Sequence, residues 1–92
     1  MIKSWRHKGL KLFYDTGNTA KIQHKHADKL HDILQALDFT TAPQQMNFPS
    51  LDFHPLKGSL KKFYSVKADA NWRVIFTFEN KNAILINYMD YH

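Results

Sequence analysis

Apolar and polar positions along this chain follow two different periods, and the change between them falls near its middle. In the first half, Ile22, His26, Leu30, Ile33, Leu34 and Leu37 recur every three or four residues and trace one stripe of a helix. With Asn18 as its N-cap, the stripe predicts a helix of about five turns. Upstream, Leu10, Phe13 and Tyr14 sit at helical spacing within His7 to Asp15. Gly17 supplies the stop, since glycine accepts the left-handed conformation that ends a helix. Ile2 to Trp5 is long enough to add one strand to a sheet.

From Asp38 to Ser50, Pro43 and Pro49 stand among polar Thr, Gln and Asn, which reads as a loop with room for one helical turn begun at Thr41 or Ala42. Strand-like runs follow at Leu51 to Phe53, Phe63 to Lys67, Asn71 to Phe78 and Ala83 to His92, with the turn-rich His54-Pro55-Leu56-Lys57-Gly58 after the first. Polar Glu79-Asn80-Lys81-Asn82 joins the last two runs as an antiparallel hairpin. Within Asn71 to Phe78, alternation puts Trp72, Val74, Phe76 and Phe78 on one face and Arg73, Ile75 and Thr77 on the other. The larger apolar set is expected to face the helices, which leaves Arg73 on the open side of the sheet. The predicted fold is α+β: a curled, mostly antiparallel sheet of about four to five strands with two N-terminal helices packed on one face. Residues 1–92 are expected to form one domain.

Composition agrees with a packed domain. A hydrophobic fraction of 43% over 92 residues is ordinary for a globular chain and unlike a disordered one. Thirteen Lys and Arg against eight Asp and Glu give a net charge of +5, which favours polyanionic partners such as nucleic acid. The positive residues are spread along both halves, so folding has to assemble any basic face. With no cysteine there is no disulfide, no thiolate nucleophile and no cysteine-based zinc or iron–sulfur site. Met1 to Lys8 lacks the apolar core of a signal peptide, and no apolar run approaches the ~18 residues of a membrane span. A soluble, cytoplasmic protein without membrane partners is expected.

The chemically capable side chains concentrate in the second half: His54 and Lys57 in the turn, Arg73 on a strand, and Asp90, Tyr91 and His92 at the end of the last run. That run follows its apolar stretch without a Gly, Pro or Ser spacer, so it is expected to be tied into the sheet. If the last two strands pair, Arg73 and the terminal residues lie at the same end of their hairpin. Cleavage of RNA by internal attack of its 2′-hydroxyl needs a base, an acid for the departing oxygen and fixed cations for the charge on phosphorus. His, Lys, Arg and Tyr can fill those roles without a metal. Plainer uses stand beside each: a lone His is commonly a surface or hydrogen-bonded residue, Arg73 has Asp52 or Asp90 as possible ion-pair partners, and Tyr88 and Tyr91 fit core aromatics with wet hydroxyls. His24, Asp28 and His31 share a helix face, but His26 points onto the apolar stripe and no second ligand pair supports a metal, so none is expected. The row Lys21, Lys25, Lys29 reads as a solvated face.

Taken together, Met1-Ile2-Lys3-Ser4, His54-Pro55-Leu56-Lys57-Gly58, Asn71-Trp72-Arg73 and Asn87-Tyr88-Met89-Asp90-Tyr91-His92 resemble the RelE-like toxins of bacterial toxin–antitoxin systems, and within them the HigB toxins. The resemblance spans the chain, although Gly17 to Ser50 shares helical pattern more than identity. It implies a RelE-like fold and a metal- and cofactor-independent endoribonuclease that enters the ribosome and cuts translated messenger RNA in the A site. It also implies inhibition by a HigA-like helix-turn-helix antitoxin, with operator DNA bound only through the toxin–antitoxin pair. Carried over by position, the site comprises His54, Lys57, Arg73, Asp90, Tyr91 and His92, with Lys61 and Lys62 joining Lys57 and Arg73 as RNA contacts. In that scheme His92 and His54 transfer protons, Lys57 and Arg73 neutralise the transition state, and Tyr91 with Asp90 orients the RNA or the terminal imidazole. Two other readings remain: a ParE-like toxin of the same fold that poisons gyrase, which has no need of His54, Arg73 and His92, and a non-catalytic basic module that binds nucleic acid.

Overall fold

Helix α1 (Lys8–Thr16) begins at His7, whose ring Nδ1 accepts the Leu10 N–H at 2.9 Å, and ends at Gly17, whose φ of 80° and N–H bond to the Phe13 carbonyl form a left-handed cap. The predicted stop is therefore the observed one. Leu10 and Phe13 turn inward, and a Lys11–Asp15 pair one turn apart at 2.6 Å lies on the outer face. The computed structural model describes residues 1–90, so Tyr91 and His92 lie outside the described residues.

Helix α2 (Ala27–Phe39) is shorter than the apolar stripe predicts. Residues 18–23 are not helical, and a 3₁₀ turn at His24–His26 leads into α2. The reason is local: the Asn18 side chain accepts the Ala20 N–H at 2.9 Å, offering the backbone a turn in place of a helix. Ile22 and His26 nevertheless stay buried, so the stripe is real while the backbone beneath it is not one helix. A second correction concerns Leu51 to Phe53, expected as a strand. Pro49, at the start of a 3₁₀ turn over Pro49–Leu51, sets the chain helically, and Asp52 then takes a left-handed conformation with φ 47°. The 3₁₀ turn at Pro43–Met46 fills the helical turn anticipated in the loop.

Strands β1 (His54–Pro55), β2 (Tyr64–Lys67), β3 (Trp72–Glu79) and β4 (Asn82–Asp90) form an antiparallel sheet in that order. β3 and β4 turn through Asn80 and Lys81, both at positive φ, a tight hairpin geometry that suits the twist of the strands. Ile2 and Trp5 add only isolated parallel bridges to Ala83 and Ile86, so the N-terminal segment lines β4 without becoming a full strand. One face of the sheet carries Val66, Val74, Phe76, Ala83, Ile86 and Tyr88 into a core shared with Leu10, Leu30, Leu34 and Leu37 of the helices. This is the predicted orientation of β3.

β4 reaches that arrangement through an irregularity. Between Ile75 and Thr77 the register gains a residue on β4, and Leu85 sits there at φ 56°. A left-handed leucine costs about 1–2 kcal/mol. Without the extra residue, however, Ile86 and Tyr88 would face outward, and burying one such side chain is worth roughly 1.5–3 kcal/mol. Burial wins. The bulge is held from outside, because the Leu85 N–H donates to Ser4 Oγ at 2.9 Å and the Ile86 N–H to the Ser4 carbonyl at 3.2 Å.

A buried polar chain fixes the far end of β4. The Tyr88 hydroxyl lies 2.6 Å from His26 Nδ1, His26 Nε2 lies 2.5 Å from Asp69, and the other Asp69 oxygen accepts the N–H groups of Asn71 and Trp72. Asp69, being an acceptor only, requires Nε2 to carry the proton. His26 is thus a satisfied core histidine that links α2, the β2–β3 turn and β4. Its hydrogen bond, with those from Asn71 and Trp72, holds the Asp69 carboxyl far below the usual carboxylate range.

Two outcomes follow from these contacts. Ser4→Ala should lower stability by about 1–3 kcal/mol in denaturant melts, the cost of leaving the Leu85 N–H without its acceptor. A carboxyl held low in the folded state adds stability that is present above its unfolded value and lost as pH falls toward the folded one. The gap in melting temperature between the native chain and Asp69→Asn should therefore be full at neutral pH and close in acid, below the ordinary carboxylate range. A gap independent of pH would mean that Asp69 acts through shape and not through charge.

Candidate active site

The face of the sheet away from the helices is where the predicted residues have to meet. Register places His54, Ser65, Ile75 and Asn87 in one row across the four strands, and Lys67, Arg73 and Met89 in the next. Asn87 and Met89 are on this face because the bulge at Leu85 shifts the phase of β4. Arg73 is largely buried, its side chain 14% exposed. Its guanidinium donates to Asp52 Oδ2 at 2.9 Å, to Ser65 Oγ at 3.1 Å and, more weakly, to the Asp52 carbonyl at 3.4 Å.

The same Asp52 carbonyl lies 3.1 Å from His54 Nδ1. A carbonyl only accepts, so in this contact Nδ1 carries the hydrogen and Nε2 of a neutral His54 keeps a lone pair free to take a proton. Asp52 therefore ties the two sequence-predicted residues together. The hydrogen bond from Arg73 holds the Asp52 carboxyl below its ordinary value, against a smaller opposing effect of desolvation and with help from the Arg73, His54 and Lys67 charges. The arrangement offers a base, a fixed guanidinium and a neighbouring ammonium on one basic face.

Other predicted residues lie elsewhere. Lys57 is exposed beyond Leu56, whose N–H bonds to the Phe63 carbonyl, so its turn sits toward the opposite end of β2 from the Lys67–Arg73 row. Lys61 and Lys62 are also at that end, lining with Pro43, Tyr64, Thr77 and Phe78 a shallow cavity of about 390 Å³. The strand from Tyr64 to Lys67 alone spans about 10 Å. Asp90 pairs with Trp72, in register with the helix-covered face and not with Arg73. Tyr91 and His92 lie outside the described residues. Among the described residues, no three His, Asp or Glu side chains are grouped so as to hold a metal ion, and no helix is long and apolar enough to cross a membrane.

Sequence reasoning named Asp52 only as a possible ion-pair partner and passed over Ser65 and Lys67. Alternation in Phe63 to Lys67 carried the missing signal, since it sets Ser65 and Lys67 on one face and Tyr64 and Val66 on the other. Which face meets Arg73 depends on strand pairing.

Chains of known structure share this architecture. In the YoeB–YefM complex from Staphylococcus aureus, one chain superposes with a TM-score of 0.64 at 19% identity, covering all of this chain and 95% of that one. The crystal structure of the E. coli DinJ–YafQ toxin–antitoxin complex gives 0.55 at 17%, over 98% of this chain and 90% of the other. These likenesses define the fold. In sequence, residues 3–92 match the family of HigB-like toxins, described as the RelE-like toxin of type II toxin–antitoxin system HigB. Endoribonuclease HigB of Proteus vulgaris is 42% identical over 92 residues, the full length of both chains. The chain belongs to the HigB-like family of RelE-like toxins.

The ion pair at the centre of the site can be tested without any assay of activity. In Arg73→Ala, carboxyl NMR should show the Asp52 titration moving up toward the ordinary carboxylate range. An unmoved titration would mean that the pair does not form in solution.

Proposed function

We propose that this toxin is a ribosome-dependent endoribonuclease, an mRNA interferase that cuts translated messenger RNA in the ribosomal A site. The observation that carries the proposal is the coupling of His54 to Arg73 through Asp52 and Ser65 on the open basic face, in a chain 42% identical to a protein named an endoribonuclease. His54 Nε2 takes the proton from the 2′-hydroxyl as its oxygen attacks the adjacent phosphorus. The bond to the 5′ oxygen breaks, and that oxygen receives a proton from His92, leaving a 2′,3′-cyclic phosphate and a 5′-hydroxyl. Arg73 and Lys67 face the non-bridging oxygens, where negative charge grows. Lys57, Lys61 and Lys62 hold flanking phosphates at the other end of β2, and Tyr91 with Asp90 orients the RNA or the His92 ring. Side chains supply every role in this scheme, so no metal is called on.

The protein acts in the cytoplasm and is neutralised by a HigA-like helix-turn-helix antitoxin, the pair together binding the operator. A toxin–antitoxin complex among the structural relatives supports an antitoxin as partner.

Purified toxin added to translating ribosomes should produce cuts positioned within codons. Arg73→Ala should reduce cutting by roughly 10²-fold or more, and removal of His92 should reduce it by about 10²- to 10⁴-fold with melting temperature little changed. Gyrase-dependent DNA breaks, or salt-sensitive RNA binding without cuts, would contradict the proposal in favour of the gyrase-poisoning or purely binding readings.

A further inference from the structure

The proposed chemistry gives the Asp52 carboxylate no task, yet this anion occupies the guanidinium that the reaction requires. The Arg73 side chain is 14% exposed, so leaving it without acceptors would be costly. In the free protein, Asp52 Oδ2 supplies the strongest of those acceptors at 2.9 Å. Its own side chain is 59% exposed, on a single left-handed residue between the Pro49–Leu51 turn and β1, so it can rotate into water without unpacking the core. Ser65 Oγ and the Asp52 carbonyl stay behind to steady the guanidinium.

We propose that Asp52 occupies the phosphate subsite of Arg73 in the free toxin and is displaced by the phosphate of bound RNA, so that Asp52 sets how tightly the site takes its substrate. The inference rests on the functional reading of Arg73 as a phosphate-binding cation. Carboxylate and phosphate are both oxyanions that accept from a guanidinium fork, so the exchange need never leave Arg73 unpaired. Asp52 is ionised at neutral pH, its carboxyl held below the ordinary range by Arg73, and the competition is therefore between two anions. Once RNA is bound, Asp52 has to turn away, because its charge would lie against the incoming phosphate. Retaining the carboxylate thus weakens RNA binding while keeping a buried guanidinium satisfied between substrates.

The test is a double-mutant cycle on the full chain, read by fluorescence anisotropy of a single-stranded, 2′-O-methyl RNA oligonucleotide that cannot be cut. Asp52→Asn, which keeps size and main chain, should lower Kd about three- to tenfold, with KM on programmed ribosomes falling in parallel. Against an Arg73→Ala background the same substitution should change Kd less than about twofold. Asp52→Ser repeats the measurement in case the asparagine rearranges the loop. Unchanged or weaker RNA binding by both Asp52 variants would overturn the inference and leave Asp52 as a loop anchor. A tightening that survives undiminished without Arg73 would also overturn it, since Asp52 would then act only through the general field of the protein. Wild-type cutting by Arg73→Ala would overturn the functional reading itself, which is a separate outcome.

Discussion

The bulge at Leu85 decides which side chains of β4 face the core and which face the site. Its cost, a leucine in the left-handed region, is met by two effects that depend on distant parts of the chain. Ser4 accepts the Leu85 N–H, and the shift in phase sends Ile86 and Tyr88 into the core. A β4 without the bulge would point Ile86 and Tyr88 at solvent and bring different residues beside Arg73. The opening residues of the chain therefore help to set which side chains of β4 stand beside Arg73.

Beyond the bulge, β4 is held by β3 on one side and by the Tyr88 side chain beneath. The Tyr88 ring packs against Trp72 at 4.6 Å, and its hydroxyl joins the buried chain to His26 and Asp69. Buried polar groups of this kind are stabilising only when every member is paired, and here each is. The network connects α2, the β2–β3 turn and β4, so the element that carries Asp90 is braced against the helical layer. On the opposite face, Asp52 plays the corresponding part for β1 and β3. The two faces are thus organised by separate acid-centred clusters, one anchored on the buried His26 and structural, the other more exposed at its carboxylate and suited to an anion.

Much of this was legible in the residues. Alternation along Asn71 to Phe78 placed Arg73 on the open face, Gly17 marked the end of α1, and the polar run around Asn80 marked the hairpin. What could not be read were features in which one segment answers to another. Asn18 bonds its own backbone and not a helix, the strand expected at Leu51 yields to a proline-led turn, and the phase of β4 depends on a serine some eighty residues away. The pairing of Arg73 with Asp52 had been one of two possibilities, and only strand register excludes Asp90 from that row. The separation of Lys57, Lys61 and Lys62 from the Lys67–Arg73 row likewise emerges only once β1 and β2 are paired.

A proton acceptor beside a fixed guanidinium on the open face of the sheet suits the RNA cleavage proposed above. This account makes internal attack by the 2′-hydroxyl its central claim. The most direct test is the chemistry of the ends on messenger cut by the purified toxin on ribosomes. The account predicts a cyclic or 3′-phosphate on the upstream fragment and a 5′-hydroxyl on the downstream one; a 3′-hydroxyl with a 5′-phosphate would contradict it.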